Sequence, residues 1–179
     1  MEKAVFGIAS TEAQAISIAD DLKLAGFTPN QVSVLFPDKS GTRDFAHEQH
    51  TKAPEGATVG GGSGAVLGGA VGWLLGIGAL AIPGLGPLIA AGPIMAALAG
   101  AGVGAAAGGL TGALIGMGIP ELEAKQYEGK IRAGNILISI HTDNSDERTR
   151  AEDILKRAGA TDISYTGEAS VPRDQRTMR

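Results

Sequence analysis

The segment "DDLKLAG" at Asp20–Gly26 returns as "DILKRAG" at Asp153–Gly159, with five of its seven positions identical. Apolar residues at helical spacing run into both copies. Short segments rich in β-prone residues flank each helix, "KAVFGIA" and "QVSVLF" around the first, "NILISIHT" and "TDISYTGE" around the second. Internal duplication explains this arrangement, although a common helix ending would also produce the match. The sequence therefore predicts two βαβ units of similar size.

Two βαβ units in one chain favour an α+β fold, specifically a ferredoxin-like sandwich whose four-stranded sheet carries helices on one face. Each predicted helix starts with capping-box spacing, Thr11 with Gln14 and Asn144 with Glu147. The sandwich is interrupted by an insertion that must leave and return at nearly the same place. We expect the following division: residues 1–37 for the first half, 38–56 for a polar linker, 57–119 for the insertion, 120–167 for the second half and 168–179 for a basic tail.

The insertion is free of charged residues from Ala57 to Pro120, a run of 64 residues. It predicts two helices, 57–82 and 88–117, separated by a break at Pro83–Pro87. Glycine recurs at every fourth position in each helix. A glycine inside a helix costs about 1 kcal/mol relative to alanine, so close backbone approach between helices must offset the loss. The sequence therefore predicts a glycine-zipper helical hairpin packed through Gly60, Gly64, Gly68, Gly72, Gly76, Gly100, Gly104, Gly108, Gly112 and Gly116.

The register of the two glycine rows leaves two alternatives open. Antiparallel pairing of Gly60 with Gly116 and of Gly76 with Gly100 puts the midpoint at Leu88, beyond the centre of the proline-bounded break. The rows meet within one chain only if the connection extends to about Pro93. Otherwise each row meets a neighbouring copy of the chain.

A helix that is apolar all round is either a membrane span or a deeply buried core. We expect the hairpin to enter the bilayer, with a homo-oligomeric helical core in water and a disordered segment as alternatives. Trp73 lies in the middle of its segment, which does not fit the interfacial enrichment of tryptophan. Because basic residues border the insertion on both sides, both flanks should face the cytoplasm. The tail residues Arg173, Arg176 and Arg179 are candidates for contact with anionic lipid.

The stretch "GIPELEAKQYEGKIRAGNILISI", together with "VFGIASTEAQA" and the Gly/Ala-rich insertion, resembles the bacterial heat-induced general stress protein domain family. The resemblance covers residues 4–166. It implies a stress-responsive bacterial protein without known catalysis, often associated with membranes through the Gly/Ala hairpin. It supplies no catalytic residue.

Composition excludes several kinds of chemistry. The chain has no cysteine, and its net charge of −4 and 4% aromatic content argue against general nucleic-acid binding. "HEQH" at His47–His50 places its histidines three apart rather than four, so a solvated loop is favoured over a metal site. "GGGSG" at Gly60–Gly64 lacks the Lys–Ser/Thr ending of a phosphate-binding loop. His141, at the end of a predicted strand, is interpreted as an edge residue, and Tyr127 is expected to pack under the sheet.

We therefore expect a non-enzymatic, stress-responsive protein that self-associates and anchors to or inserts in the membrane through the hairpin. The alternative is a soluble homo-oligomeric scaffold or regulator whose hairpins form a shared core. No cofactor, metal or small-molecule ligand is expected, and the partners are other copies of the chain and the bilayer. The first ten residues do not resemble a signal peptide. The expected location is therefore the cytoplasmic membrane, with both soluble flanks on the cytoplasmic side, or the cytoplasm in the alternative.

Overall fold

The computed structural model describes residues 3–38, 78–82, 85–94, 98 and 102–166, which form an α+β fold around one antiparallel sheet. The sheet has six strands in the order β3-β4-β2-β5-β1-β6. The elements, in chain order, are β1 (Lys3–Ala9), α1 (Glu12–Leu24), β2 (Val32–Pro37), β3 (Gly78–Ile82), β4 (Gly86–Ala91), α2 (Gly102–Gly116), α3 (Glu121–Arg132), β5 (Ile136–Thr142), α4 (Ser145–Arg157) and β6 (Thr161–Thr166).

The strand–helix–strand order predicted for both flanks is confirmed. Strand β1 and helix α1 reappear as β5 and α4 at a constant offset of 133 residues at both ends of each element. The capping follows the same offset. The Thr11 hydroxyl accepts the N–H of Gln14, and the Asn144 side chain accepts the N–H of Glu147. The structural similarity of the two units therefore extends to the helix starts and is not confined to the helix ending.

The Ala–Gly helix ending is common to three helices and so does not by itself indicate duplication. Helices α1, α3 and α4 are each followed by a glycine in the left-handed region, with φ of +91° at Gly26, +97° at Gly134 and +75° at Gly159. In each case the residue after the glycine donates its N–H to a carbonyl in the last helical turn, which satisfies an otherwise free acceptor.

One face of the sheet is covered by α1 and α4, as predicted. The two helices run antiparallel and bond to each other's ends, since Gln14 Nε2 donates to the Ala158 carbonyl and Arg150 donates to the Ala25 carbonyl. The buried residues of this layer are Val5, Ala9, Ala15, Ile18, Leu22, Phe27, Val32, Val34, Ala91, Ile136, Ile138, Ile140, Ala151, Ile154 and Leu155.

The opposite face of the sheet is also covered, which corrects the expectation of helices on one face only. Helices α2 and α3 pack there over a second core, made of Ala4, Phe6, Ile8, Leu35, Leu88, Ala90, Ile94, Leu98, Leu110, Ala113, Leu114, Ile119, Ala124, Tyr127, Ile131 and Leu137. Strands β1 and β5 lie between the two layers. Their runs "AVFGIA" and "ILISI" are nearly continuous in apolar residues, as expected for strands buried on both faces.

The structure also corrects the prediction of two long helices in the insertion. Gly78–Ile82 and Gly86–Ala91 are strands that form a hairpin, and β4 pairs antiparallel with β2. Short apolar runs bounded by glycine and proline suit a strand as well as a helix, and here the open edge of β2 supplies the partner that decides between them. Of the predicted second helix, the structure retains α2, and Pro93, Ile94 and Leu98 are also helical. The linker, the first glycine row and the tail lie outside the described residues, apart from Asp38.

None of the helices that the structure describes is both long enough and apolar enough to cross a membrane.

Candidate self-association surface

Helix α2 packs on the sheet through one side and presents an uncharged side outward. Leu110, Ala113 and Leu114, at the spacing of one helix face, are buried against the sheet. On the other side Gly112 is half-buried, Ile115 is 42% exposed and Gly116 is exposed. We name these three residues the α2 outer face. A surface helix ordinarily carries charged or polar residues there, so this face is unusual for a helix in contact with water.

Gly116 is not required by the packing of the described residues. A Cβ atom added to it would meet nothing within 4 Å, and its φ lies outside the left-handed region. Glycine at such a position lowers helix stability by about 1 kcal/mol relative to alanine. Gly7 differs, since a Cβ there would lie 3.1 Å from Leu155 Cδ1. The surface at 116 is therefore open to close approach by another helix.

A second apolar side chain stands next to this face in the chain. Leu122, in the first turn of α3, is 71% exposed and follows α2 after a short connection. Gly118 shapes that connection with a φ of +89°, and the following amide of Ile119 donates to Leu114. Two large apolar side chains, Ile115 and Leu122, are thus exposed to solvent on either side of the connection between α2 and α3.

A kink at Gly109 sets the orientation of the α2 outer face. Gly109 has φ 61° and ψ −154°, which interrupts the helix and begins a new helical segment at Leu110. The freed amide of Thr111 donates to Glu128 Oε2 at 2.9 Å, and the Thr111 hydroxyl donates to the same oxygen at 2.5 Å. A carboxylate at a helix N-terminus is favourable because it faces the positive end of the helix dipole. Glu128 on α3 therefore fixes the second segment of α2.

The pKa of Glu128 is below its usual value. Burial acts to raise it, but the two hydrogen bonds from Thr111 and the ion pair with Arg132, 2.8 Å from Oε1, outweigh burial. A carboxyl whose pKa is lowered by folding stabilises the fold above its unfolded pKa, and that contribution is lost as the pH falls through the folded pKa.

We expect Glu128→Gln to lower the free energy of unfolding by about 1–2 kcal/mol at pH 7, because the charge-assisted bonds are replaced by neutral ones. The difference from the unchanged chain should shrink as the pH falls below the unfolded pKa of the carboxyl and should be lost as the pH falls through its lower folded pKa. Urea unfolding across pH 3–8 measures it. Glu121→Gln is the control, since the exposed Glu121–Lys125 pair is an ordinary surface ion pair. An equal loss in both variants would contradict the assignment of Glu128 as a helix cap.

The structure places four of the ten predicted packing glycines on α2. Gly104 and Gly108 precede the kink, and Gly112 and Gly116 follow it, so the predicted continuous row is divided between two segments. The other six lie outside the described residues, as do Arg173, Arg176 and Arg179, and His47, Glu48 and His50. Sequence reasoning missed the kink and its carboxylate cap. The adjacent pair Gly108–Gly109 was the available signal, since consecutive glycines are weak points in a helix.

Tyr127 is buried under the sheet, as predicted. Its hydroxyl donates to the Asp162 carbonyl at 2.8 Å and lies 2.6 Å from Ser164 Oγ. Since a phenol has a single proton, Ser164 is the donor in the second bond. Burial, with the charges of Glu123 and Asp162, raises the pKa of Tyr127 to about 12. The phenol is therefore neutral at physiological pH and anchors β6.

His141 lies in β5, near the strand end, where its backbone N–H donates to the Gln31 carbonyl at 2.7 Å. Across the part of the chain that the structure describes, no group of three or more acidic, histidine or cysteine side chains is placed to hold a metal ion.

Comparisons of the chain with protein-family models, with curated proteins and with solved structures found no match.

Proposed function

We propose that this chain is a non-enzymatic, self-associating protein built on a ferredoxin-like domain, with the α2 outer face as a contact between copies. Support for the ferredoxin-like class comes from the strands of the two βαβ units, which lie in the order β2-β5-β1-β6, all antiparallel. The hairpin β3–β4 extends this sheet beyond β2, and α2 and α3 cover the face opposite α1 and α4.

The observation that carries the proposal is the exposed, uncharged Gly112–Ile115–Gly116 surface. Glycine at every fourth position lets two helix backbones approach closely, and a large apolar residue between the glycines packs into the groove of the partner. Burial of Ile115 would remove apolar area from water at about 25 cal/mol per Å². None of the three residues of the α2 outer face has a polar or charged side chain of the kind that an enzyme active site uses.

Membrane association is the second candidate, and one observation of the sequence favours it. Residues 57–77 carry no charge, as a segment in contact with lipid requires. The remainder of the insertion completes the domain, because Leu98, Leu110 and Leu114 are buried against the sheet. A single helix across the bilayer would place β2 and β3 on opposite sides of it, although β4 joins them in one sheet. A membrane-anchored, stress-responsive protein would therefore hold the bilayer through residues 57–77 as a segment that enters and leaves on the same side. Retention in the pellet after an alkaline carbonate wash would support this candidate.

Gly116→Leu tests the proposed contact. Because a side chain at 116 meets open space, the variant should keep the stability of the fold, yet a leucine should hold a second helix away from the backbone. We expect self-association, measured by native mass spectrometry over a range of concentrations, to weaken at least about tenfold, which is about 1.4 kcal/mol.

Gly129→Leu is the matched control for this experiment. Gly129 is also an exposed helical glycine, on α3, with nothing within 4 Å of an added Cβ. Its substitution should leave the mass distribution unchanged. Equal masses for the unchanged chain and both variants, at every concentration, would rule out the α2 outer face as a contact.

A further inference from the structure

The two edges of the sheet are built differently. Strand β6 is irregular, with a shift in its register against β1 between Phe6 and Ile8. Within that irregularity Asp162 adopts a left-handed conformation with φ 51°, and its carboxylate lies 3.3 Å from Lys130 Nζ. A bulge and charged residues at an edge oppose the addition of another strand. The β6 edge is therefore protected.

The β3 edge has none of these protections. Its sequence "GALAI" contains no charge and no proline, and its register with β4 is unbroken from Gly78 opposite Ala90 to Ile82 opposite Gly86. In the order of the sheet β3 is terminal, so one side of its backbone has no partner strand among the described residues. Helix α2 contacts β3 and holds it in place. An uncharged, regular edge strand is a template for pairing with another chain.

We infer that the β3 edge pairs antiparallel with β3 of a second copy, which joins two six-stranded sheets into one. This inference adds an interface to the self-association proposed above and rests on separate residues. A twofold axis at Leu80 would place Gly78 opposite Ile82 and Ala79 opposite Ala81 of the second copy. The pairing places glycine opposite isoleucine, alanine opposite alanine and leucine opposite leucine, and it requires no charge to be buried, so β3 can pair with itself.

Other segments of the chain are poorer partners for this edge by sequence. The linker carries charges at Lys39, Arg43, Asp44, Glu48, Lys52 and Glu55, and residues 57–77 repeat glycine at a helical spacing. Glycine and charged residues are depleted in strands. The C-terminal residues 167–179 contain Pro172, which cannot donate to a ladder, and three arginines. A second β3 is the uncharged strand that fits.

The expected register allows a charge-pairing test. In the register with β4, Ala79 is opposite Ile89 and Ala81 is opposite Pro87, whereas Leu80 is opposite Leu88. We would make three double variants, all combined with Gly116→Leu so that the α2 outer face is blocked. They are Ala79→Lys with Ala81→Lys, Ala79→Glu with Ala81→Glu, and Ala79→Glu with Ala81→Lys.

The double-lysine and double-glutamate variants should each dissociate at least about tenfold more readily than the Gly116→Leu parent, because like charges oppose across the axis. Their mixture should form heterodimers in native mass spectrometry. The mixed variant should form homodimers, because each glutamate then faces a lysine. Amides of β3 in the parent should exchange more slowly with deuterium as protein concentration rises.

Undiminished association of the double-lysine variant, or slow exchange in β3 that does not vary with concentration, would overturn the inference. So would a monomeric Gly116→Leu parent, which would assign all association to the α2 outer face and leave the proposed function standing.

Discussion

Substitution Gly92→Ala is expected to unfold or severely destabilise the protein, lowering the free energy of unfolding by more than about 3 kcal/mol. Gly92 follows β4 with a φ of +82°, a conformation that costs an alanine about 1–2 kcal/mol. The added Cβ would also overlap the Val32 carbonyl oxygen and lie 2.9 Å from the Ser33 Cα. These are backbone atoms of β2 in the middle of the sheet, which cannot yield as a flexible side chain does.

Gly92 matters because the chain turns there from the sheet towards α2. Two residues later the buried amide of Ile94 donates to Ser33 Oγ at 3.1 Å. Displacement of the backbone at 92 would break this bond and leave polar groups of the core unsatisfied. The effect therefore combines conformational strain, overlap and a lost buried hydrogen bond.

Gly86→Ala separates overlap from strain. Gly86 begins β4 with nearly the same φ, +83°, but an added Cβ has nothing within 4 Å. Its substitution should cost only the conformational term, about 1–2 kcal/mol. Urea unfolding followed by circular dichroism measures both variants. A similar small loss in the two would show that β4 and β2 are not held as closely as described.

The domain could be predicted from the sequence where local signals agreed with the tertiary structure. The repeated "DDLKLAG" segment, the capping residues Thr11 and Asn144 and the glycines after each helix located α1, α4 and their strands within a few residues. Each of these features acts within one or two turns of the chain, so it can be recognised without knowledge of what packs against it.

The insertion could not be predicted in the same way because its residues suit more than one structure. "GALAI" has no alternation of polar and apolar residues, so nothing in it distinguishes a strand from a helix. Its partner is β4, and β4 is held in turn by the edge of β2, which ends 49 residues before β4 begins. The Thr111–Glu128 hydrogen bond likewise joins two helices, and no local sequence pattern predicts that these helices are in contact. Strands β1 and β5 carried one signal that the sequence prediction did not use, since continuous apolar runs are typical of strands covered on both faces.

The adjacent residues Leu114 and Ile115 should respond to truncation in opposite ways. Leu114 is 0% exposed and packs with Leu110 and Ala113 in the core beneath α2. Its replacement by alanine should lower the free energy of unfolding by about 2–5 kcal/mol, since a buried leucine leaves both lost contacts and a cavity. Ile115→Ala should change stability by less than about 1 kcal/mol, because the side chain is partly in water and alanine is the better helix former.

Self-association should show the reverse order. Ile115→Ala removes the large side chain of the α2 outer face and should weaken association at least about tenfold. Gly116→Leu should have a similar effect because the added side chain keeps the second helix away. Leu114→Ala, measured at a temperature where the variant stays folded, should associate like the unchanged chain. Since the two residues are neighbours on one helix, a general loosening of α2 would affect both measurements in both variants. Loss of stability in Leu114→Ala and loss of association in Ile115→Ala would therefore show that one side of α2 stabilises the domain and the other side contacts a second copy. Loss of association in Leu114→Ala alone would place the contact elsewhere.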